Sequence, residues 1–451
     1  MKRISIILSL IVAFAMILAA CAPEANVPDA EVPVVEAPDT EEPIADAPEP
    51  EEPAVEDQVV TIFGAFVDED ARRFQAAMEP FTEETGIRVE YEGSGDFETL
   101  ILVRAEGGDP PDIGAFPQPG LLAGLVERGL IIDMNEWFDT DYLTTQYDQS
   151  WLDDATLGGI MAGVWYRTSV KSLVWYPVEA FNAAGYTIPE TWDEMLALSD
   201  QMVADGNTPW CIGIESAGAT GWAATDWMED IMLRTQPAEL YDQWVQGELP
   251  FDSPEVKNAA EIMGEIWFNN DYVYGGTPAI LTTPFGDAPD PMFFDPPGCF
   301  MHRQASFIPA FFPEGVEVGV DVDFFYLPPI EPDRFPQPVL VAGDLMGAFN
   351  DRPEVRALME YLTTGESTRG WLAQGGFVSP HNDTPLEWYP TDVDLGYAEI
   401  LSQASVTRFD ASDLMPGTVG AGSFWTGMVD FVAAGGENID AIMQEIDATF
   451  P

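Results

Sequence analysis

The stretch from residue 215 to residue 233 places two indole rings beside two carboxylates. Its sequence, ESAGATGWAATDWMEDIML, contains Trp222 and Trp227 together with Asp226 and Glu229. A sugar ring has an apolar C–H face and a rim of hydroxyls, so a site for it combines flat aromatic rings with carboxylates, amides or guanidinium groups. The stretch therefore predicts a site for a polyhydroxy ligand, with core packing of each tryptophan as the plainer alternative.

Two further stretches have the same character. Phe116 stands beside Gln118 in AFPQPG, and Trp425 stands beside Ser423 in GAGSFWTG. Three such groups in glycine-rich or proline-marked surroundings favour a binding site over core packing alone.

Several kinds of enzyme are excluded by the residues that the sequence does not contain. The chain has two histidines, His302 and His381, and no cluster of histidine and cysteine, which argues against an ordinary zinc site. None of the three lysines follows a glycine, so there is no phosphate-binding P-loop, and neither G-x-S-x-G nor G-x-G-x-x-G occurs. The sequence therefore predicts a binding protein that catalyses no reaction and uses no cofactor or metal.

The charge of the chain is strongly negative. Its 17 Lys and Arg residues stand against 78 Asp and Glu residues, a formal net charge of -61. A nucleic-acid partner is excluded because phosphates require clustered cations. The acidic residues indicate a solvated surface, and an acidic trap for a cationic ligand is the alternative.

The first 57 residues predict a targeting signal and a tether. Lys2 and Arg3 precede an apolar run that ends at LAAC, with Cys21 as its cysteine, which is typical of a lipoprotein signal peptide over 1–21 and less so of a membrane-spanning anchor. Residues 22–57 contain thirteen acidic residues and a proline at every fifth position, so they predict an extended acidic tether. We therefore expect the protein to be held by a lipid on the extracytoplasmic face of the cell membrane.

Two cysteines remain beyond the signal peptide. Outside the cytoplasm a disulfide persists, so we predict that Cys211 and Cys299 form one, with two separate buried thiols as the alternative.

From Val59 onward strands and helices alternate. VVTIFGAF, IRVEY and PDIGAF are typical of buried strands, and the segments between them have helical spacing, with Gly86 ending the first helix. A longer strand is predicted near residues 164–176, and Thr191 with Glu194 predicts a capped helix after it. This order predicts an open, mostly parallel α/β sheet that binds ligands beyond the carboxyl ends of its strands.

The order of several motifs carries a family resemblance. The motifs are FTEETGIRVEYEGSGDF, GGDPPDIGAFPQPGLL, SVKSLVWYPVEAFNAAGYTIPETWDEM, PWCIGIESAGATGWAATDWMEDIMLR, PPGCFMHRQASF and RFDASDLMPGTVGAGSFWTGM. From residue 59 to the C-terminus the chain resembles the family 1 extracellular solute-binding proteins of carbohydrate ABC importers. It is most similar to their α-glucoside-binding branch and more distantly similar to maltose-binding protein.

The resemblance implies a type II periplasmic-binding-protein fold. Two α/β lobes, each an open, mostly parallel sheet flanked by helices, would close on a hinge around the ligand. Crossings between the lobes are expected near 167–170, 341–344 and 364–367. The expected division is 58–166 with 343–365 for lobe 1, and 167–342 with 366–451 for lobe 2. A monomer that passes a carbohydrate to membrane permease subunits is implied.

The resemblance also implies site residues. Phe116, Phe307 and Trp425 match positions of sugar-stacking rings, and Trp222 lies where relatives present an acid and an aromatic ring. The full expected ligand-binding set is Phe116, Gln118, Trp222, Asp226, Phe307, Arg408, Asp413 and Trp425. Arg408 is expected either to orient Asp413 or to contact the ligand. At positions 119 and 120 this chain has Pro119 and Gly120 where maltose-binding protein has a charged pair. This departure leaves the identity of the sugar open.

Two other functions remain open at this point. The negative charge suggests a receptor for a polyamine or a basic peptide, and a secreted glycoside hydrolase is the enzymatic alternative. Binding of a sugar depends little on salt, whereas capture of a cation weakens steeply as ionic strength rises.

Overall fold

A computed structural model describes residues 58–451, so the predicted signal peptide, tether and Cys21 lie outside the described residues. The strands are β1 Val59–Gly64, β2 Arg88–Gly93, β3 Ile113–Phe116, β4 Thr156–Leu157, β5 Ile160–Met161, β6 Val164–Val170, β7 Leu173–Pro177, β8 His302–Arg303, β9 Val322–Tyr326, β10 Pro338–Ala348 and β11 Val406–Phe409. The helices are α1 Asp68–Ala77, α2 Glu79–Thr85, α3 Phe97–Gly107, α4 Pro119–Glu127, α5 Thr140–Gln146, α6 Gln149–Asp154, α7 Val178–Ala183, α8 Trp192–Ala204, α9 Trp222–Thr235, α10 Ala238–Val245, α11 Pro254–Trp267, α12 Thr277–Ile280, α13 Pro353–Leu362, α14 Gly365–Leu372, α15 Asp392–Gln403, α16 Ala411–Leu414, α17 Trp425–Ala433 and α18 Ile439–Asp447. None of the helices within 58–451 combines the length and the apolar character that crossing a bilayer requires.

The larger sheet has six strands in the order β11-β10-β3-β1-β2, with β6 also paired to β10. The pairs β1/β2, β1/β3 and β10/β11 are parallel. The long strand β10 runs antiparallel to β3 and to β6, and its register places Asp344 opposite Arg167. The carboxyl ends of β1, β2 and β3 therefore meet at one edge of the sheet, as the alternation of strands and helices predicts.

The smaller sheet differs from the expectation of a mostly parallel sheet. Strand β7 lies between β8 and β9 and is antiparallel to both. Parallel pairing in this part of the described chain occurs as isolated bridges, from Trp210 to Val273 and to Met301, from Glu215 to Pro284 and from Val318 to Val322. Helices α7 to α12 lie between β7 and β8 in the chain, so this antiparallel pairing is a long-range contact and not a short hairpin.

The local sequence explains where the first helices begin and end. The single helix predicted after β1 is two helices, because Pro80 cannot continue the hydrogen-bond pattern of α1 and instead opens α2. Gly86 ends α2 with φ of 75°, a conformation that glycine adopts freely. The predicted cap of α8 is present, since Thr191 Oγ1 accepts a hydrogen bond from the Glu194 N–H at 3.2 Å.

An aromatic cluster ties α14 to the first elements of the chain. Trp371 of α14 packs edge-on against Phe66, with ring centroids 5.3 Å apart, and Phe74 of α1 lies 5.4 Å from Phe66. Helix α14 therefore packs with elements that the expected division places in lobe 1. The division into lobes stays a prediction.

A disulfide joins Cys211 and Cys299, whose Cα atoms are 5.6 Å apart. Both residues are buried, and the bond connects two segments 88 residues apart in the chain. The pairing is the one expected from the sequence.

Candidate functional site

A cavity of about 150 Å³ lies at the edge of the larger sheet where β1, β2 and β3 end. The loops after these three strands contribute part of its lining, and the paired strands β6 and β10 contribute another part, together with Asp70 of α1, Glu98 of α3 and Lys171. The rest comes from the start of α9 and the turn before it, the segment 285–311, α16 with the residue before it, and the first residue of α17. This is the position at which open α/β sheets bind their ligands.

Four aromatic side chains form an aromatic wall of the cavity. Phe285 lies 5.1 Å from Trp222 and 5.1 Å from Phe311, measured between ring centroids, and Phe307 lies 6.0 Å from Trp222. All four rings are only partly buried, so each keeps surface that faces the cavity. Exposed ring faces of this kind suit the apolar face of a ligand.

Trp425 contributes a fifth ring to the lining. It is the first residue of α17 and is almost wholly buried, in contrast to the partly exposed aromatic wall. Its Nε1–H points to Ser412 Oγ at 3.4 Å, and Ser412 also lines the cavity. Trp425 thus has a structural role as well as a place at the cavity.

One buried cation of the cavity lining belongs to β6. Arg167 of β6 donates to Asp344 of β10 at 2.5 Å and to Asp70 of α1 at 2.9 Å. Its guanidinium also lies over the Phe66 ring, 4.4 Å from the centroid. Arg167, Asp70 and Asp344 form what we call the Arg167 cluster, which connects the two paired strands to α1.

A second buried cation lies just beyond the end of β6. Lys171 donates to Asp226 of α9 at 2.8 Å and also to Asp410, the residue that precedes α16. Its Nζ is 5.5 Å from the centroid of the Trp222 ring. We call Lys171, Asp226 and Asp410 the Lys171 cluster; it draws three separate segments of the chain together at the cavity.

The carboxyls around Lys171 have divergent pKa values. Burial opposes ionisation of Asp410, but the Lys171 charge outweighs it and lowers the pKa of Asp410 to about 2. Burial raises the pKa of Asp226 to about 6 although Lys171 opposes the shift. Burial, then the charge of Asp410, raises the pKa of Asp413 well above its usual range. Asp413 is therefore suited to remain protonated and to donate a hydrogen bond.

Two of these carboxylates, with Glu229, have the spacing of a metal site. Oxygens of Asp226, Glu229 and Asp410 lie within 4.8 Å of one another, a spacing that a metal ion can bridge. The positive charge here comes from Lys171, and Glu229 accepts hydrogen bonds from two backbone N–H groups of α16, at 2.9 and 3.1 Å. Hydrogen-bond donors of the protein are thus already bound to the oxygens of these carboxylates, and we assign no metal to them.

Gln118 and Glu98 line the part of the cavity formed by the loop after β3 and by α3. Gln118 is buried, and its Oε1 has no hydrogen-bond partner within residues 58–451. A buried acceptor without a partner is costly, so Gln118 is suited to accept a hydrogen bond from a ligand. Burial, together with the charge of Asp96, raises the pKa of Glu98 to about 7.

The raised pKa of Glu98 predicts how stability changes with pH. A carboxyl whose pKa is about 7 in the folded protein and 4.5 as its ordinary value contributes stability that is complete below pH 4.5 and is lost as pH rises through 7. We expect Glu98→Gln to gain stability relative to the parent protein as pH rises from 5 to 8. Melting temperatures of the unliganded proteins at pH 5, 6, 7 and 8 measure this.

A matched carboxyl on β2 is the control for the Glu98 variant. The hydrogen bond to Arg104 lowers the pKa of Glu92, so Glu92→Gln should lose stability relative to the parent at neutral pH. The prediction would be contradicted if the melting temperature of Glu98→Gln, relative to that of the parent protein, did not rise as pH rises from 5 to 8.

One hydrogen bond connects the rims of the cavity. The backbone N–H of Gly218, in the turn before α9, donates to Asp96 Oδ1 at 3.0 Å, and Asp96 precedes α3. The neighbours of both residues, Gly95 and Ala219, line the cavity. The bond therefore holds the loop after β2 against the start of α9 at the cavity entrance.

Six residues of the sequence-predicted set line the cavity. They are Gln118, Trp222, Asp226, Phe307, Asp413 and Trp425. Their contact with a ligand stays a prediction.

Phe116 and Arg408 lie elsewhere. Phe116 is the last residue of β3 and is fully buried, packing 5.4 Å from Phe97, so the chain reaches the cavity only with Pro117 and Gln118. Arg408 does not lie at the cavity, because its side chain pairs with Asp242 at 2.6 and 2.9 Å. Neither a stacking role for Phe116 nor contact of Arg408 with the ligand or Asp413 fits these positions.

The second tryptophan of the opening stretch also lies outside the cavity. Trp227 packs between Trp210 and Trp267, with ring centroids 5.4 and 5.8 Å away, so the plainer expectation of core packing is right for it. Sequence reasoning missed Arg167 and Lys171. The available signal was YRTSVKS, two cations within a predicted strand region of a chain that has few cations.

Comparison with known proteins identifies the family. The sequence profile of the bacterial extracellular solute-binding proteins matches residues 68–293. Over 392 residues the chain is 47% identical to the osmoprotective compounds-binding protein GgtB of Synechocystis sp., covering 87% of this chain and 92% of that protein. The chain belongs to the bacterial extracellular solute-binding protein family.

Further matches agree on the fold of this solute-binding protein. It is 45% identical over 390 residues to the alpha-glucosides-binding periplasmic protein AglE of Rhizobium meliloti, covering 84% of each chain. The solved structure of the bacterial solute receptor AcbH, whose substrate preference is described as exclusive for β-D-galactopyranose, superposes with a TM-score of 0.75 at 17% identity, covering 86% of this chain and 97% of that chain. The type II periplasmic-binding-protein fold predicted from the sequence is confirmed.

Proposed function

We propose that this solute-binding protein captures a neutral sugar or glycoside of the α-glucoside class in the cavity and delivers it to the permease of an ABC importer. The observation that carries the proposal is the combination of a partly exposed aromatic wall with the unpartnered Oε1 of Gln118 in one cavity. Aromatic rings cover the apolar faces of a sugar, and Gln118 accepts from a hydroxyl at its rim.

The distribution of charge supports a neutral ligand. The two cations that line the cavity are already paired with carboxylates, in the Arg167 cluster and in the Lys171 cluster. The cavity carboxyls outside these clusters, Glu98 and Asp413, both have raised pKa values, which favours their protonated forms. A protonated carboxyl donates a hydrogen bond to a hydroxyl, whereas a polyamine would require it to be ionised. This favours the sugar over the cationic ligand.

The names of the relatives indicate two ligand classes. One relative is named for α-glucosides and the other for osmoprotective compounds. Both are binding proteins, which supports a binding role over glycoside hydrolysis. We therefore expect either an α-glucoside or an osmoprotective glycoside as the ligand.

Calorimetric titration tests the proposal. α-Glucosides, osmoprotective compounds, a β-galactoside and spermidine are titrated into the purified protein at low and high salt. We expect stoichiometric binding of an α-linked glycoside that is nearly independent of salt and leaves the sugar intact. Salt-sensitive binding of spermidine alone, or hydrolysis of the glycoside, would replace the proposal with one of the alternatives.

Replacing Trp222 with alanine should weaken the binding of that glycoside about tenfold to a hundredfold, on the order of 1 to 3 kcal/mol, because one stacking ring is lost. The melting temperature of the unliganded protein should change little, since Trp222 is only partly buried. Titration and melting curves measure the two effects separately.

Two other tryptophans calibrate this result. Trp388 is also partly buried but does not line the cavity, so Trp388→Ala should leave the affinity unchanged. Trp425→Ala should lower both affinity and melting temperature, because Trp425 is buried. Equal affinity of Trp222→Ala and the parent protein would remove the aromatic wall from the proposed site.

We also propose that the mature protein is a lipoprotein held at the outer face of the cytoplasmic membrane, close to its permease. The support is the sequence LAAC ending at Cys21, followed by the acidic tether 22–57. Cys21→Ala should abolish lipid labelling and move the protein out of the membrane fraction, as cell fractionation would show. A Cys211→Ala variant with unchanged lipid labelling is the control, and lipid labelling that survives Cys21→Ala would contradict the proposal.

A further inference from the structure

A second, much smaller cavity lies beside α9 and β8. Its volume is about 10 Å³, and its lining includes Trp267, His302 and Arg303. It also includes Ala223 and Trp227, residues of the same helix that carries Asp226. A cavity of about this size holds one water molecule if enough polar atoms surround it.

Three residues of this lining each carry a buried polar atom with unused hydrogen-bond capacity. Trp267 Nε1, His302 Nε2 and Arg303 Nε have no partner within the described part of the chain. The three residues are 0%, 2% and 3% exposed, so bulk water does not reach them. Buried polar atoms in folded proteins are almost always hydrogen-bonded, and each of these three therefore requires a partner.

The other ring nitrogen of His302 fixes the role of Nε2. Nδ1 lies 2.9 Å from the carbonyl oxygen of Cys211, which can only accept, so Nδ1 carries the proton. Burial, together with the charge of Arg303, lowers the pKa of His302 to about 4, so the ring is neutral at pH 7. Nε2 is consequently an acceptor, while Trp267 Nε1–H and Arg303 Nε–H are donors.

We propose that one water molecule is bound in this cavity as a permanent part of the fold. It accepts from Trp267 Nε1–H and Arg303 Nε–H and donates to His302 Nε2. A water molecule can accept two hydrogen bonds and donate two. In this arrangement it accepts two and donates one.

The bound water positions a residue of the ligand-binding cavity. The other nitrogens of Arg303 donate to the Asp226 carboxylate at 3.2 Å and to its backbone carbonyl at 3.0 Å. Arg303 also pairs with Asp230. The water binds the Nε side of the guanidinium, which is the side that Asp226 and Asp230 leave free. It therefore acts on Asp226 through Arg303, in the way that an outer hydrogen-bond partner orients a metal-binding histidine.

Nitrogen NMR of the full-length protein, labelled with ¹⁵N-histidine and without a histidine tag, tests the acceptor role directly. The chain has only two histidines, and the structure assigns them opposite tautomers. His381 Nε2 lies 3.0 Å from the Leu362 carbonyl oxygen, so it donates, and the proton is on Nε2. We expect His302 to be neutral and protonated on Nδ1 at pH 7. Protonation of His302 on Nε2 would overturn the proposal, because the water would then lack its acceptor.

A high-resolution crystal structure of the same protein tests the site itself. We expect one ordered water within hydrogen-bond distance of all three nitrogens. A cavity without density, or side chains rotated to other partners, would overturn the proposal. Trp267→Phe keeps an aromatic side chain, smaller than the indole, and removes the donor, so the water should remain with one contact fewer. If that variant does not fold, the parent structure and the tautomer of His302 still decide.

Discussion

Replacing Lys171 with methionine is expected to lower the free energy of unfolding by about 3 to 5 kcal/mol at neutral pH. Methionine has a similar volume but no charge, so Asp226 and Asp410 would be left as buried carboxylates without their shared cation. Removing one partner of a buried ion pair costs more than the pair itself contributes, because the remaining charge has lost its water as well as its partner. Urea unfolding of the two proteins measures the difference.

The effect of Lys171→Met should depend on pH. Lys171 lowers the pKa of Asp410 to about 2 against the opposing effect of burial, from an ordinary value of 3.8. A carboxyl with a lowered pKa contributes stability that is present above its ordinary pKa and is lost as pH falls through the lowered one. Without Lys171, burial raises the pKa of Asp410 above its ordinary value, so the difference in the free energy of unfolding between parent and variant should begin to narrow above pH 4 and continue to narrow as pH falls toward 2.

Lys257→Met is the matched control for this experiment. Lys257 is on α11 and also pairs with two carboxylates, Asp252 and Asp440, but these pairs are at the surface. Water screens such pairs, so this substitution should change stability little. Equal effects of Lys171→Met and Lys257→Met would show that the Lys171 cluster does not stabilise the fold.

Removing the disulfide should also destabilise the protein strongly. Cys211→Ala with Cys299→Ala frees a loop of 88 residues, and such a loss typically costs about 2 to 4 kcal/mol. Both positions are buried, and alanine at each of them removes the thiol together with the bond. The double variant therefore measures the loss of the bond without reactive thiols in the core. Urea unfolding under non-reducing conditions gives the difference.

A reducing agent provides the control for the disulfide. It should lower the free energy of unfolding of the parent protein toward that of the double variant. The free energy of unfolding of the double variant should not change. Two reactive thiols per chain from Cys211 and Cys299 in the denatured, unreduced protein would contradict the bond.

The first three strands of the larger sheet were predictable because their signals are local. Strand β1, the helix after it and the glycine at position 86 follow one another within 30 residues, and apolar periodicity with one stop residue is enough to place them. The split of the first helix was missed although Pro80 was visible, since the apolar spacing continues across it. The antiparallel pairing of β7 depends on contacts with β8 and β9, more than 120 residues later in the chain, and no local pattern encodes it.

Some residues of the site were also predictable from local sequence, and others depend on contacts between distant parts of the chain. Aromatic residues in glycine-rich stretches, such as Trp222 and Trp425, are recognisable by composition, and both line the cavity. Phe116 stands only two residues before Gln118, yet the end of β3 turns it into the core, so its placement depends on strand register. The role of Arg167 depends on Asp344, 177 residues away, and such long-range pairs cannot be read from one sequence.

The burial of Lys171 determines how the protein can be labelled. Within residues 58–451 the lysines are Lys171 and Lys257, and Lys171 is enclosed by its carboxylate partners. Lys257 is accessible on α11, with 24% of its side chain exposed. An amine-reactive fluorophore would therefore attach to this part of the protein at one known position. The scarcity of lysine in this acidic chain thus provides a site-specific attachment point without any engineered residue.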